Sequence, residues 1–97
     1  MSSLHITEFR GMAYGPSGPI PIPYGLLAHQ EKTIGAETDS SAFNSATRIV
    51  RCWAEAACHI TWGQPEQTAT TAMMPLGAGE EIWFGVDAGD EISVIAA

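Results

Sequence analysis

Four of the six prolines in this chain fall within residues 16–23, where they alternate with apolar side chains. Proline fixes φ at about −65° and has no backbone N–H to donate, so this segment is not expected to belong to the core. The sequence predicts an extended, polyproline-like arm over residues 15–25 that exposes its apolar groups. In a chain of 97 residues, such an arm favours attachment to another molecule over catalysis.

The rest of the chain consists of short β-type segments separated by turn residues. Residues 4–10 alternate with the period of two that is typical of a half-buried strand. The strongest strand candidate covers residues 48–54, where Val50, Cys52 and Ala54 share one face. Other strands are expected at residues 27–34, 41–43, 58–62, 81–86 and 92–95, with a loop at 66–71 and a tight hairpin turn at 87–90. Cys58, Ile60 and Trp62 are expected to face the core.

About seven strands at intervals of about 8–12 residues indicate an all-β fold. At this length we expect a single domain over residues 1–97. The predicted architecture is a small antiparallel β-sandwich or barrel, from which the Pro-rich segment of residues 15–25 extends as an arm. No segment sustains the apolar spacing of an amphipathic helix, so no long helix is expected.

The charge balance limits the choice of partners. Four Lys and Arg residues stand against 11 Asp and Glu residues, giving a formal net charge of −7. The bases Arg10, Lys32, Arg48 and Arg51 are too scattered to form a phosphate-binding stripe, so no nucleic acid partner is expected. No apolar run is long enough to span a membrane, and the first residues do not resemble a secretory leader. We therefore expect synthesis in a cytoplasm.

The two cysteines do not match a zinc motif, because no second pair of ligands accompanies them. If the flanking strands formed a hairpin centred on Glu55, Cys52 and Cys58 would face each other in one register and miss each other in the next. Cysteine is among the most buried residue types, and disulfides are rare in the cytoplasm. Buried free thiols are therefore expected.

The sequence contains no recognisable catalytic constellation. His5, His29 and His59 lie on separate predicted strands with no partner at ligand spacing, which favours surface or packed residues over metal ligands. The chain lacks a nucleophile elbow, a phosphate-binding loop and paired carboxylates in an acid-base environment. We expect no enzymatic activity, no metal and no cofactor.

Three tryptophans leave several roles open. Trp53, Trp62 and Trp83 are expected on strands, where large aromatic side chains usually fill a small core. They also suit a partner contact or a stacking platform for a sugar ring. The sequence does not decide among these three roles.

The second half of the chain carries a family resemblance. Several segments are similar to a pattern in small structural proteins of tailed bacteriophages: residues 41–51, 57–60 with Trp62 and Gly63, 68–70, 83–86 and 92–96. Residues 6–9 also fit this pattern. The resemblance spans most of residues 40–97 and consists of strand and turn signatures.

This resemblance implies a virion protein of the decoration or cement type on the capsid exterior. The implied partner is the major capsid protein, and self-association into a homo-oligomer stays open. Attachment is expected through the alternating apolar residues of the arm: Pro19, Ile20, Pro21, Ile22, Pro23 and Tyr24. A stiff polyproline backbone loses little entropy on docking. The alternatives are a tail or head-tail connector component, a glycan-binding module, and an arm that only packs along its own domain.

Overall fold

The computed structural model describes the backbone of residues 2–97 and the side chains of residues 2–13, 16–18 and 24–97. Its strands are β1 (Ser3–Gly15), β2 (Gly18–Thr33), β3 (Thr38–Asp39), β4 (Ile49–Ala54), β5 (Cys58–Gly63), β6 (Met74–Leu76), β7 (Glu81–Gly85) and β8 (Glu91–Ala96). All the strand pairs are antiparallel, which confirms the all-β prediction. Across residues 2–97, no helix is long and apolar enough to cross a membrane.

Two four-stranded sheets form the two layers of the fold. Sheet I has the order β2-β1-β4-β7, and sheet II has the order β3-β8-β5-β6. Side chains from both sheets meet in one core, as in a β-sandwich. Among the described residues no strand pairing joins the sheets into a barrel. The sandwich is therefore the observed architecture of the two that the sequence left open.

Alternate residues of facing strands build the core. Val50, Cys52 and Ala54 of β4 are each 0% exposed, as their period-two pattern predicted. Cys58 and Ile60 of β5 are buried opposite them, at 1% and 0% exposure. The other buried apolar members of this cluster are Leu4, Ile6, Phe43, Leu76, Val86, Ile92 and Val94. Because β4 lies between β1 and β7, its outer face is also flanked by side chains from both neighbours.

Two turns carry the chain from one sheet to the other, at the two places where the sequence pattern suggests hairpins. Residues 87–90 form the predicted tight turn, since the Asp90 N–H donates to the Asp87 carbonyl at 3.1 Å and Gly89 has a φ of 80°. However, β7 lies in sheet I and β8 in sheet II, so the hairpin prediction is wrong. The same change of sheet separates β4 from β5, which excludes a hairpin centred on Glu55. A period-two pattern identifies the buried face of a strand but not the sheet that the strand joins.

The strand predicted at residues 41–43 is also wrong. The two-residue strand β3 comes earlier, at Thr38–Asp39. Phe43 is buried beside the core, and its backbone N–H donates to the Asp90 carbonyl at 2.8 Å. This segment is therefore a loop, which is held by the buried Phe43 side chain and by backbone hydrogen bonds of Ser41, Phe43 and Asn44.

The Pro-rich segment belongs to a strand, and a separate arm over residues 15–25 is not shown. β2 begins at Gly18, and its backbone pairs with β1 at Tyr14↔Pro19 and Met12↔Pro23, with a register shift between these pairs. β2 is an edge strand of sheet I, which is where a sheet tolerates proline. The backbone is extended, as the sequence predicted, but it is paired. The side chains of residues 19–23 lie outside the described part of the structure.

The β1–β2 hairpin is much longer than the sheet that it joins. Pairing between β1 and β4 ends at Phe9↔Ile49, whereas β1 continues to pair with β2 as far as Gly15↔Gly18. The hairpin therefore projects beyond the sandwich as a two-stranded ribbon. The molecule measures 45 × 26 × 22 Å along its principal axes, in keeping with this projection.

The predicted loop at residues 66–71 is confirmed, and it covers the outer face of sheet II. The Ala69 N–H donates to Ser93 Oγ at 2.9 Å, and the Gln67 N–H donates to a carboxylate oxygen of Glu91 at 3.0 Å. Ala69 is 2% exposed and Ser93 is 0% exposed. Among the described residues, no comparable loop lies over the outer face of sheet I.

Candidate binding surface on the outer face of sheet I

The register of sheet I sets its outward-pointing side chains in three rows. In antiparallel strands, directly paired residues lie on the same face of the sheet. Taken from β2 to β7, the rows are Glu31, His5, Trp53 and Glu81; then His29, Thr7, Arg51 and Trp83; then Leu26, Phe9, Ile49 and Gly85. The first two rows are rich in polar groups, and the third is apolar.

An aromatic patch occupies the apolar end of this face. We define it as Phe9, Leu26, Ile49 and Trp83, together with Tyr24 on the adjoining hairpin. The rings of Phe9 and Trp83 have centroids 5.6 Å apart, within the range of a favourable aromatic pair. Leu26 is 68% exposed and Trp83 is 43% exposed. Both side chains therefore present apolar area to a partner.

The patch continues onto the projecting ribbon through Tyr24. A Cβ built on Gly11 would lie 3.8 Å from Cε1 of Tyr24, so the Tyr24 ring covers the face of Gly11, its strand partner. Tyr24 is 44% exposed. A methyl group at position 11 would make ordinary van der Waals contact with this ring.

Arg51 restricts the orientation of Trp83 at the edge of the aromatic patch. Its Nε lies 2.5 Å from Glu81 Oε2, and its guanidinium carbon lies 6.0 Å from the ring centroid of Trp83. A guanidinium at this distance attracts the face of an indole ring. The ion pair and the cation–π contact together restrict the exposed indole to fewer orientations.

A histidine cluster occupies the other end of the same face; we define it as His5, His29 and Glu31. His5 Nδ1 lies 2.9 Å from Glu31 Oε1, and His5 Nε2 lies 2.6 Å from Glu55 Oε2. His29 Nδ1 lies 2.9 Å from Thr7 Oγ1. The hydrogen bond from His5, followed by the backbone N–H of Ser3, lowers the pKa of Glu55. The prediction that the histidines have no partner at ligand spacing is therefore wrong for His5 and His29, which lie together with Glu31.

The sequence carried a partial signal for this cluster. His29 and Glu31 are two residues apart, so a strand at residues 27–34 places them on one face. The hairpin register does not follow from the sequence. It pairs Glu31 with His5 and His29 with Thr7. The third histidine is elsewhere: His59 lies in sheet II, where its Nδ1 is 3.1 Å from the Met73 carbonyl oxygen.

The three tryptophans occupy different environments. Trp62 packs against the core and stacks on Phe84 with a centroid separation of 3.9 Å. Trp53 is half-buried on the outer face of sheet I, with its ring centroid 5.0 Å from that of His5. Trp83 is exposed in the aromatic patch. The core role holds for Trp62, whereas Trp53 and Trp83 share a surface.

The expected attachment residues are only partly described. The backbone of residues 19–23 lies in β2, but the side chains of Pro19, Ile20, Pro21, Ile22 and Pro23 are outside the described set. Tyr24 is exposed at the base of the ribbon. The role of these residues in attachment stays a prediction, and the residues that sequence reasoning missed are Phe9, Leu26 and Ile49.

Both thiols are free and buried, as expected. Burial raises the pKa of Cys52 to about 12, and burial also raises the pKa of Cys58. A thiol needs its thiolate form to act as a nucleophile or a metal ligand. These cysteines therefore serve as small core residues.

An acidic group borders sheet II at β3. The Glu37 carboxylate accepts a hydrogen bond from Ser93 Oγ, and a hydrogen bond with Asp39 is the main cause that raises the pKa of Glu37. Desolvation and the charges of Asp39 and Glu91 act in the same direction. Three carboxylates near one another store repulsion that protonation of Glu37 relieves.

No protein-family model, curated protein or solved structure matches this chain. Its possible functions must therefore be argued from its own residues.

Proposed function

We propose that this chain is a structural protein of a bacteriophage virion that binds the outside of the capsid and stabilises it. The observation that carries the proposal is the aromatic patch, in which Tyr24, Leu26 and Trp83 are exposed by 44%, 68% and 43%. Contiguous exposed apolar surface on a small soluble protein commonly marks an interaction site. The resemblance of residues 40–97 to small virion proteins supports the choice of partner.

The projecting hairpin adds a second argument for a protein partner. Beyond Phe9, β1 pairs with β2 but no longer with β4. A two-stranded ribbon is only marginally stable in water without a third strand or a packing surface. Docking on a capsid subunit would supply that surface, and the ribbon would gain stability by mass action.

The prolines of β2 favour attachment through side chains. Prolines at 19, 21 and 23 lie in the edge strand β2, and each lacks the backbone N–H that an added strand could use on the free edge. Proline is tolerated where that edge faces away from the sheet, and it blocks the addition of another strand there. Contacts to the major capsid protein would thus come from Ile20, Ile22, Tyr24 and the aromatic patch.

The charge distribution supports a position outside the capsid and disfavours a nucleic acid partner. The net charge is −7. Arg51 is paired with Glu81, and Arg48 Nη1 donates to the carbonyl oxygens of Ser45 and Thr47, both at 2.9 Å. These arginines already have partners within the chain, and counterion release from DNA requires available basic groups.

A binding role also agrees with the environments of the serine hydroxyls and the cysteine thiols, which are bonded within the chain or buried. Ser40 Oγ donates to the Ser41 carbonyl at 2.9 Å and accepts the Ile92 N–H at 3.0 Å. Ser93 lies under the loop of residues 64–73, and both thiols are buried. We propose a non-enzymatic protein that requires no cofactor to bind the capsid.

The experiment is a co-sedimentation titration of the purified chain with phage capsids that lack it. The test variant changes Ile20, Ile22 and Tyr24 together to Ser. We expect its affinity for capsids to fall by at least about tenfold, equivalent to about 1.4 kcal/mol, because large apolar side chains leave the interface. Substitution is preferable to deletion of residues 16–23, since deletion removes strand pairing as well.

The matched control changes Met73 and Met74 to Ser. These residues are 39% and 38% exposed and lie on or beside β6 of sheet II. The control should bind like the parent chain. If the parent shows no saturable binding to capsids, the decoration role is wrong; if the test variant and the control bind alike, the role stands and the hairpin is not the attachment site.

Location separates the decoration role from its nearest alternative. A tail or head-tail connector component would present the same surface to a different virion protein. Electron microscopy of purified particles, with the chain localised by its density, distinguishes many copies over the capsid from a ring at one vertex. The second pattern would replace capsid decoration with the connector role.

Glycan binding is a second candidate, favoured by the pairing of aromatic and polar groups on one face. Trp83 is 43% exposed and lies beside Arg51 and Glu81, an arrangement in which a sugar ring can stack while its hydroxyls bond to charged groups. A glycan array decides this case. Binding that Trp83→Ala abolishes would support it, whereas an array with no specific signal would remove it.

A further inference from the structure

We infer that His5, His29 and Glu31 form a binding site for a divalent transition metal ion of the zinc type. One ligand atom from each residue lies within 4.8 Å of the others. The hairpin ladder creates this set. His5 pairs directly with Glu31, and His29 pairs with Thr7, which is the next pair on the same face of the sheet. Residues 5 and 31 are thus brought together by strand pairing.

The donor atoms select the class of metal. Two imidazoles and one carboxylate are ligands for Zn²⁺, Cu²⁺ and Ni²⁺, whereas Mg²⁺ and Ca²⁺ prefer oxygen ligands alone. Tetrahedral zinc with bonds of about 2.0–2.1 Å holds its ligand atoms about 3.3 Å apart. His5 Nδ1 and Glu31 Oε1 are already 2.9 Å apart. Small side-chain rotations of the exposed His29 and Glu31 would complete the set.

Outer contacts orient both imidazole rings for this role. His5 Nε2 is 2.6 Å from the Glu55 carboxylate, which leaves Nδ1 directed at Glu31. The contact of 2.9 Å between His29 Nδ1 and Thr7 Oγ1 leaves Nε2 of His29 as the ligand atom when Nδ1 carries the proton. Histidines that bind metals almost always donate their second ring N–H in this manner. Glu55 and Thr7 are therefore positioning residues.

The site is open to solvent on one side. His29 and Glu31 are exposed, and His5 is half-buried beside Trp53. Three protein ligands leave a coordination position for water, as in zinc sites that accept a further ligand. Because the ligands come from β1 and β2, a bound ion would connect the edge strand to its neighbour.

The test is isothermal titration calorimetry of the full chain with ZnCl₂ after removal of trace metals. We expect one equivalent of zinc to bind, and His29→Gln to weaken the affinity by at least about tenfold. Glu31→Gln should do the same, and Glu55→Gln should weaken binding by about 10–100-fold as a loss of ring orientation. His59→Gln is the matched control and should bind like the parent, since His59 lies on sheet II.

A second readout uses the neighbouring tryptophan. The His5 ring centroid is 5.0 Å from that of Trp53, so bound Cu²⁺ should quench part of the tryptophan fluorescence. The parent and His59→Gln should reach half of this quenching at the same Cu²⁺ concentration, and His29→Gln should need at least about tenfold more. Far-ultraviolet circular dichroism of each variant checks that it is folded. If no saturable zinc binding occurs below about 1 mM, or if His29→Gln and the parent bind equally, the site is a hydrogen-bonded cluster of His5 with Glu31 and Glu55, and the inference is overturned.

Discussion

The guanidinium carbon of Arg51 lies 6.0 Å from the ring centroid of Trp83, its direct partner across β4 and β7. The Arg51 side chain is held there by Glu81, and the Phe9 ring also packs near the indole, with a centroid separation of 5.6 Å. An exposed aromatic side chain that is ordered in advance loses less entropy when it docks. This relationship makes Trp83 the best candidate for an energetic anchor in the aromatic patch.

We therefore expect Trp83→Ser to weaken binding to the partner while leaving the chain folded. Anchor tryptophans in protein interfaces contribute about 2 kcal/mol or more, which corresponds to a loss of affinity of about 30-fold. Co-sedimentation with capsids measures the affinity, and urea denaturation measures the free energy of unfolding. Met74→Ser, on the opposite sheet, is the control; equal binding by the two variants would exclude this face as the interface.

Core and surface positions should respond very differently to truncation. Ile6 is 0% exposed, so Ile6→Ala should lower the free energy of unfolding by about 2–5 kcal/mol through lost burial and a cavity. Leu26 is 68% exposed, so Leu26→Ala should change it by less than about 0.5 kcal/mol. Urea denaturation monitored by tryptophan fluorescence compares the two variants. Similar losses would mean that Leu26 packs on a surface such as a second copy of the chain.

Strand positions followed from the sequence where the buried face was clear. The alternation of Val50, Cys52 and Ala54 identified both the strand and its core-facing side, because a period of two is a local property. The assignment of β7 and β8 to different sheets did not follow from the sequence. It depends on pairing between distant segments, which a tight turn at residues 87–90 does not specify.

Glu8 shows at a single residue that a local pattern does not identify contacts between distant segments. Its position two residues after Ile6 places a carboxylate on the inner face, where it is 2% exposed. The groups that make this burial tolerable are the Asn44 N–H and the Thr47 hydroxyl, 36 and 39 residues away in the chain. The histidine cluster was missed for a related reason, since the β1–β2 register brings His5 and Glu31 together.

Replacement of Glu8 should therefore destabilise the fold. Its Oε1 accepts from the Asn44 N–H and from Thr47 Oγ1, both at 2.8 Å, and Thr47 is 0% exposed. Glu8→Ala leaves both donors without their partner, and the buried Thr47 hydroxyl should cost about 1–3 kcal/mol as an unsatisfied group. Thermal unfolding against the exposed control Glu66→Ala measures the effect. A melting temperature equal to that of the control would show that water replaces the carboxylate.

The two thiols should resist modification in the folded protein. Burial raises the pKa of Cys52 to about 12 and also raises that of Cys58, so little thiolate exists near pH 8. We expect iodoacetamide to label neither cysteine in buffer and to label both in concentrated urea, as measured by mass spectrometry of the intact chain. Rapid labelling of Cys58 without denaturant would indicate that the end of β5 opens locally.

Glu37 should make stability depend on pH in a direction opposite to that of an ion-paired carboxylate. The hydrogen bond with Asp39, together with desolvation and the neighbouring negative charges, raises its pKa above the usual 4.5. The folded state therefore holds this proton more tightly than the unfolded state. The stabilisation is fully present below the unfolded pKa and is lost as the pH rises through the folded pKa.

Glu37→Gln removes this titration while keeping a side chain that can donate a hydrogen bond to Asp39. We expect the parent to lose stability relative to Glu37→Gln as the pH rises, with the change beginning near the unfolded pKa and ending above the folded pKa. Urea denaturation at several pH values gives the free energy of unfolding of each protein. The contributions of the other titrating groups are largely common to both and cancel in the difference. The loss should be smaller when Asp39→Asn is the background, because the main cause of the raised pKa is then gone while desolvation and the charge of Glu91 remain. Parallel stability curves for the parent and Glu37→Gln would show that the carboxylates at β3 do not interact.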